Sequence, residues 1–139
     1  MKDPRIQIWN VLHDGEIASV SPENAQAIVM FVAIPYLRRS FEPMGASFVL
    51  SLSGVTRFEF QHFDGEVTSL DQALRVGGPQ ILSAGSESMP VTVETSMGQL
   101  RLDFQSLSLS LDTGQSIRFD ALHDTAEGYW AALRARADR

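Results

Sequence analysis

No cysteine occurs among the 139 residues of the sequence. This absence excludes disulfide bonds, thiolate nucleophiles and zinc sites built on cysteine. Residues 1–5 lead into no clean apolar segment, so a signal peptide is not predicted either. The simplest expectation is a cytoplasmic protein.

Long apolar runs are missing as well. The longest, residues 27–34, is far too short to cross a bilayer, which takes about 20 residues. We therefore expect a soluble protein with no membrane partner. With 44% hydrophobic and 20% charged residues, a chain of this length can bury one core, so residues 1–139 are predicted to form a single α+β domain.

Motifs of catalysis and cofactor binding are also lacking. No Gly-x-Ser-x-Gly sequence is present, which is the nucleophile turn of many serine hydrolases. The glycines of Gly77-Gly78-Pro79 are not followed by lysine, and proline has no N–H to offer a phosphate. No cofactor is predicted.

Negative charge is in excess and unevenly placed. The net charge is −6, and residues 59–127 alone hold eleven acidic residues against three arginines, a net charge of −8. Such a stretch repels phosphate backbones, so nucleic acid is not an expected partner, whereas a basic protein is. Four carboxylates are our candidates for contacting that partner: Asp64, Glu66, Asp103 and Asp112.

Turn signals and alternating apolar residues predict a sheet protein. The sequence Asp-Gly-Glu occurs twice, in residues 13–17 and 63–67, and Asp-Gly favours chain reversal between strands. Asp3-Pro4 is typical of the start of a short helix that ends before Gly15, although Ile6-Gln7-Ile8 also alternates as in a strand. The predicted fold is α+β, with about seven to nine antiparallel strands between residues 16 and 119 in a meander-like sheet and one C-terminal amphipathic helix on one face.

Four local features sharpen this prediction. Residues 27–34 are apolar at every position, which favours a central strand covered on both faces, and residues 21–24 favour a turn. Residues 48–53 and 58–60 alternate and are expected to be strands joined tightly at Gly54, with a connection and one helical turn at residues 36–46.

Leucines change face parity late in the chain. Leu100 and Leu102 occupy even positions, whereas Leu107, Leu109 and Leu111 occupy odd ones. A strand cannot exchange its faces without an extra residue, so a bulge or a corner is predicted at residues 105–106.

Helical spacing replaces alternation at the C-terminus. Asp124 and Glu127 resemble a capping box, which predicts a helix over residues 124–137. Its apolar positions place Tyr129 and Trp130 on one stripe, which we expect to pack onto the sheet.

The stretch from Leu12 to Asp71 resembles the immunity protein 50 family and related small bacterial proteins of unknown function. The resemblance rests on residues 13–20, on residues 48–55, and on the segments 58–60 and 63–65. In that pattern a His-Asp pair precedes the first short strand and a Gly-Val pair follows a later one. The resemblance covers less than half of the chain, and the connection from Pro35 to Ala46 departs from it. It implies a cytoplasmic protein that neutralises a toxin by binding it, without catalysis of its own.

An alternative comes from the histidines, each of which has an aspartate one or two positions on. The three pairs are His13-Asp14, His62 with Asp64, and His123-Asp124. Imidazole and carboxylate together suit zinc, manganese or iron, so a small metal-dependent hydrolase is the second hypothesis. The spacings match no ligand motif, and no residue is assigned as a metal ligand.

Overall fold

The computed structural model describes residues 3–63, 65, 67–68 and 78–137. Within them lie three helices and nine strands, which confirms the α+β class and the predicted number of strands. The helices are α1 (Pro4–Val11), α2 (Pro35–Arg38) and α3 (Phe119–Ala137). The strands are β1 (Glu16–Asn24), β2 (Ala27–Ala33), β3 (Ser47–Ser53), β4 (Arg57–His62), β5 (Val67–Thr68), β6 (Ile81–Ala84), β7 (Val91–Thr95), β8 (Gly98–Asp103) and β9 (Ser106–Leu111).

The strands form two antiparallel sheets. The first has the order β1-β2-β3-β9 and the second the order β5-β4-β8-β7-β6. The expected single meander-like sheet is therefore divided, because the chain leaves the first sheet after β3 and returns to it at β9. The second sheet is built entirely from residues between those two strands.

The parity change at residues 105–106 is a corner between the sheets, as predicted. β8 belongs to the second sheet and β9 to the first, and the Gln105 N–H donates to the Ser53 carbonyl at 2.9 Å. The same corner contains Gly54, whose φ of +65° allows β3 to turn into β4. β3 and β4 are joined tightly at Gly54, as predicted, but they do not pair with each other: β3 pairs with β2 and β9, and β4 pairs with β5 and β8.

β2 has the interior position that its apolar sequence predicted, between β1 and β3. Met30 and Val32 are fully buried, but Val29 and Phe31 on the opposite face are only half-buried. The expected cover on both faces is thus present on one face only. The turn expected at residues 21–24 is also wrong, because β1 continues to Asn24 and the chain turns at residues 25–26; β1 is an edge strand, where Pro22 is tolerated.

The first Asp-Gly sequence joins a helix to a strand rather than two strands. α1 begins after Asp3, whose side chain accepts the Arg5 N–H at 2.9 Å, and the chain then turns through Asp14 with φ 71° into β1. At Gly15 a Cβ atom would lie 2.7 Å from Val32 Cγ1. Glycine is needed here because the connection passes close to β2.

α3 begins at Phe119, five residues before the predicted start. Asp124 lies on its exposed side and is no N-cap, and residues 117–119 do not form the expected strand end. Tyr129 and Trp130 also pack differently from the prediction. Their rings lie against Tyr36 and His13, at centroid distances of 4.5 and 4.6 Å, so the helix contacts the segments around α1 and α2 rather than a sheet face.

One cluster of buried side chains joins both sheets and the helices. It includes Trp9 from α1, Phe48 from the first sheet, Phe60 from the second and Leu122 from α3. α1 is tied to the second sheet by Asn10, whose amide exchanges two hydrogen bonds with the backbone of Ala84. In the part of the chain that the structure describes, no helix has both the length and the apolar character required to cross a membrane.

Candidate protein-binding site

The strands β4 and β5 form a short hairpin that carries the second Asp-Gly sequence. Gln61 pairs with Val67 across it, and the Gly65 N–H donates to the His62 carbonyl at 3.0 Å. Gly65 has a φ of +91° and open space around it, which is the conformation that a tight turn requires. Here the sequence signal and the structure agree on a hairpin.

This hairpin presents two large apolar side chains to solvent. Phe63 is 71% exposed and Val67 is 58% exposed. Most large apolar residues of a domain of this size are buried, and aromatic residues are enriched in the energetically important centres of protein interfaces. The pair therefore marks the hairpin as a surface suited to protein contact.

Asp64 and Glu66 alternate with these residues in the sequence, between Phe63 and Val67. Both acidic residues lie outside the described residues, so their placement rests on the sequence. Five consecutive positions thus combine two apolar side chains with two carboxylates. Beside them Gln61, His62, Phe63, Gly65 and Gln99 line a shallow cleft of about 230 Å³.

Asp103 lies at the other end of the same strands. It is half-buried on β8 and stands opposite Arg57 of β4 in the strand register. It also contributes, after Asp3, to the favourable charge environment that raises the pKa of Arg5. Asp103 is therefore one member of a mixed group of charges.

Asp112, the fourth candidate, is engaged within the chain. Its Oδ1 lies 2.9 Å from Nη2 of the fully buried Arg38, and its Oδ2 accepts the N–H groups of Ala46 and Ser47 at 2.9 and 3.2 Å. Burial raises the pKa of this carboxyl, but the hydrogen bonds from Ala46, Arg38 and Ser47 outweigh it and the pKa is lowered. These bonds leave Asp112 holding the β9 terminus rather than facing a partner.

The described acidic candidates do not lie together. Asp103 precedes β9 and Asp112 follows it, and a strand of that length spans roughly 17 Å. A single contiguous patch containing both is therefore not formed. The binding role of Asp64, Glu66 and Asp103 stays a prediction.

Two of the three histidines of the His-Asp pairs share a cleft, which Asp14 and Asp124 do not line. His13 and His123 line one small cleft of about 110 Å³ together with Glu127 and Trp130. His13 Nδ1 donates to the Asn10 carbonyl at 2.7 Å, and the imidazole ring is stacked on Trp130.

His62 lies elsewhere, on β4. Three strand spacings, roughly 14 Å, separate it from β6, whose Ile81 carbonyl accepts the Asp14 N–H. Among residues 3–63, 65, 67–68 and 78–137, no group of three His, Asp or Glu side chains is placed to hold a metal ion.

The exposed pair Phe63 and Val67 was missed by the sequence reasoning. An apolar residue beside a strand is normally buried in the core. Only the position of such a residue next to a turn signal distinguishes it from a core residue. No family model, curated protein or solved structure matches this chain.

Proposed function

We propose that this protein is a non-enzymatic protein-binding module that engages a basic protein through the β4–β5 hairpin. Its cellular role, on this proposal, is the neutralisation of a toxin in the cytoplasm, as in immunity-type proteins. The observation that carries the proposal is the exposure of Phe63 and Val67 on a hairpin whose sequence also contains Asp64 and Glu66.

Apolar and acidic side chains have different tasks in such a site. Apolar anchors supply affinity when they enter a pocket of the partner and lose their contact with water. Exposed carboxylates at the rim steer the approach of an oppositely charged partner and act mainly on the association rate. The net charge of −8 in residues 59–127 extends this attraction beyond the hairpin.

The test is a growth experiment followed by kinetics. The reading frame next to the gene for this chain is expressed in a bacterial host, alone and together with the chain. Neutralisation restores growth, whereas the double variant Asp64→Lys/Glu66→Lys and the single variant Phe63→Ser abolish the rescue. The charge reversal Asp124→Lys/Glu127→Lys changes net charge equally at two exposed positions of α3 and should preserve it.

Binding kinetics with this protein and its purified partner then separate the effect of the carboxylates on association from the effect of the apolar residues on dissociation. The association rate should fall steeply as salt rises, because exposed charges are screened within about 10 Å at 0.1 M ionic strength. Phe63→Ser should raise the dissociation rate and leave the salt dependence intact. Equal loss of rescue with the α3 double variant would contradict the assignment to the hairpin.

Metal analysis of the purified protein tests the hydrolase alternative. Stoichiometric zinc, manganese or iron that is lost together with an activity in His13→Ala and His123→Ala would favour it. Retention of neutralising activity in both variants would favour the binding module.

A further inference from the structure

Four strands lie at the edges of the two sheets, β1 and β9 in the first and β5 and β6 in the second. An edge strand has backbone N–H and C=O groups that can pair with another chain, and proteins usually cover or interrupt such an edge. β1 contains Pro22 and two register shifts, and β5 has only two residues. The edge of β6 is covered, since Ile81 is hydrogen-bonded to the backbone of Asp14 and Gly15 at 2.8 Å. These three edges are therefore poor templates for a further strand.

The edge of β9 is covered at one end only. The Leu111 N–H donates to the Gln115 carbonyl at 2.8 Å, and the Leu109 carbonyl accepts the Ile117 N–H at 3.1 Å. Odd-numbered residues of β9 thus direct their backbone groups away from β3, because successive residues of a strand face opposite edges. The N–H and C=O of Leu107 therefore point to the open side, where no described residue pairs with them.

A groove of about 540 Å³ lies beside this open half of β9. Leu107, Ile117 and Phe119 line it, and all three are partly buried apolar side chains packed against the core. Leu109 and Leu111 point to the same side of the strand as Leu107 and are buried. Leu107 therefore lies where the core reaches the surface without a neighbouring strand to cover it. The sequence of β9, which alternates serine and leucine, also lacks the charged residues and prolines that protect many edge strands.

The groove has no unpaired charge among the described residues that line it. Its charged residues are Asp3 and Arg5, whose side chains lie 2.6 Å apart. Nη1 of Arg5 also donates to the carbonyls of Phe104 and Gln105, at 3.1 and 3.2 Å. A charged side chain entering the groove would lose water without gaining a counter-charge, so an uncharged ligand fits better.

We propose that β9 binds an extended, uncharged segment of another protein as an added strand. In this mode of recognition main-chain hydrogen bonds provide affinity, and pockets for alternate side chains provide specificity. The N–H and C=O of Leu107, and the N–H of Leu109, which has no described partner either, are the groups that pair with the segment. Alternate apolar side chains of the segment cover Leu107 and Ile117, while the other side chains lie beside the exposed Ser106 and Ser108. The β4–β5 hairpin belongs to the other sheet, so this inference is independent of the proposed function.

Two peptides that can each pair along one edge only test the proposal. Both have the sequence acetyl-Thr-Val-Thr-Val-Thr-Val-amide, and one is N-methylated at its valines and the other at its threonines. A methyl group on the edge that faces β9 prevents pairing, whereas a methyl group on the other edge does not, so one peptide should bind and the other should not. Binding is followed by amide NMR of the full chain with up to about 5 mM peptide.

The amide of Leu107 reports on binding directly. With the peptide that binds, this amide should shift, and its hydrogen exchange should slow by about threefold or more at the highest peptide concentration. The amides of β1, at the opposite edge of the same sheet, should not change.

Two substitutions at Leu107 separate its backbone from its side chain. Leu107→Ala shortens the side chain and retains the N–H, whereas Leu107→Pro removes the N–H as well. Proline is tolerated at such a position because this N–H takes no part in the pairing with β3. Leu107→Pro should raise the dissociation constant of the peptide by about fivefold or more relative to Leu107→Ala. Circular dichroism identifies a variant that fails to fold, and the two peptides then decide.

Three results would overturn the proposal. The first is equal binding of the two peptides, and the second is no change at the Leu107 amide with either of them. The third is protection of this amide in the protein alone that increases with protein concentration, because a second copy would then occupy the edge.

Discussion

Arg38 and Asp112 form an ion pair in which the arginine side chain is fully buried and the carboxylate is one-fifth exposed. The guanidinium also donates to the carbonyls of Phe41 and Ser47, at 3.2 and 3.1 Å. This contact fastens the segment after α2 to the end of β9. A buried cation is tolerated here because the guanidinium is paired with a carboxylate and hydrogen-bonded to two backbone carbonyls.

Removing the carboxylate of this pair is expected to be costly. Asp112→Asn leaves the Arg38 charge buried without a counter-charge, which should lower the free energy of unfolding by about 3 kcal/mol. The double variant Arg38→Met/Asp112→Asn removes the stranded charge and should recover part of that loss. Urea unfolding of the single and double variants measures both values, and simple additivity of the single losses would contradict the coupling.

The same pair gives a pH dependence with a defined sign. The pKa of Asp112 is lowered in the folded protein, so the unfolded chain takes up a proton first as the pH falls. The contribution to stability is complete above the unfolded pKa, near 3.8, and is lost as the pH falls through the folded value. Asp112→Asn should therefore show a shallower loss of stability as the pH falls below about 5.

Tyr36 provides a second titration, on the alkaline side. Burial, together with the charges of Asp14 and Tyr129, raises the pKa of Tyr36 to about 12. The unfolded chain releases this proton near 10, so stability should fall as the pH rises from 10 toward 12. In Tyr129→Phe, Tyr36 is the one remaining tyrosine, and its absorbance should titrate well above 10. A midpoint at the ordinary value would show that the ring is more hydrated than the structure indicates.

Two glycines should respond to alanine in opposite directions. Gly98 has a φ of 153° and its missing Cβ would collide with the backbone of Gln61, so Gly98→Ala should destabilise the protein by about 2 kcal/mol or more. Gly128 lies within α3 with nothing near its Cβ position, so Gly128→Ala should stabilise by about 0.5–1 kcal/mol. Thermal unfolding distinguishes the two, and a gain at Gly98 would be incompatible with the β4–β8 register.

Trp130 is expected to anchor α3 to the rest of the molecule. Its ring stacks on His13 and meets Tyr36 edge-on at a centroid distance of 5.9 Å. Trp130→Ala should lower the unfolding free energy by about 2 kcal/mol and raise amide exchange in α3. Leu133→Ala, at a position 41% exposed on the same helix, should stay within about 0.5 kcal/mol of the parent. Equal effects of the two substitutions would argue against the aromatic anchor.

Local patterns in the sequence were sufficient for most individual strands. In residues 91–95 apolar and polar side chains alternate, as is typical of a strand, and this segment forms β7. The parity change of the leucines located the corner at residues 105–106, because it follows from the alternation of a single strand. The extra first turn of α3 was not predicted, because Asp124 and Glu127 resemble a capping box although they lie within the helix.

Partners that are distant in sequence could not be predicted in this way. Residues 48–53 and 58–60 follow each other closely in the sequence, yet β3 pairs with β9. Nothing in the sequence of β3 identifies β9 as its partner. Asp112 was chosen as an exposed acid because its partner Arg38 lies 74 positions away. The exposure of Phe63 depends on the shape of a hairpin, which composition does not report.

The corner at Ser53 and Ser106 has a consequence for the order of folding. The two hydroxyls are hydrogen-bonded although they lie 53 positions apart, and the intervening chain builds the whole second sheet. Closing so long a loop before the second sheet has formed costs conformational entropy that no local contact offsets. We expect β1, β2 and β3 to pair early, as sequence neighbours, and β9 to dock last. The first sheet would then be completed only at the final step, after the second sheet has formed.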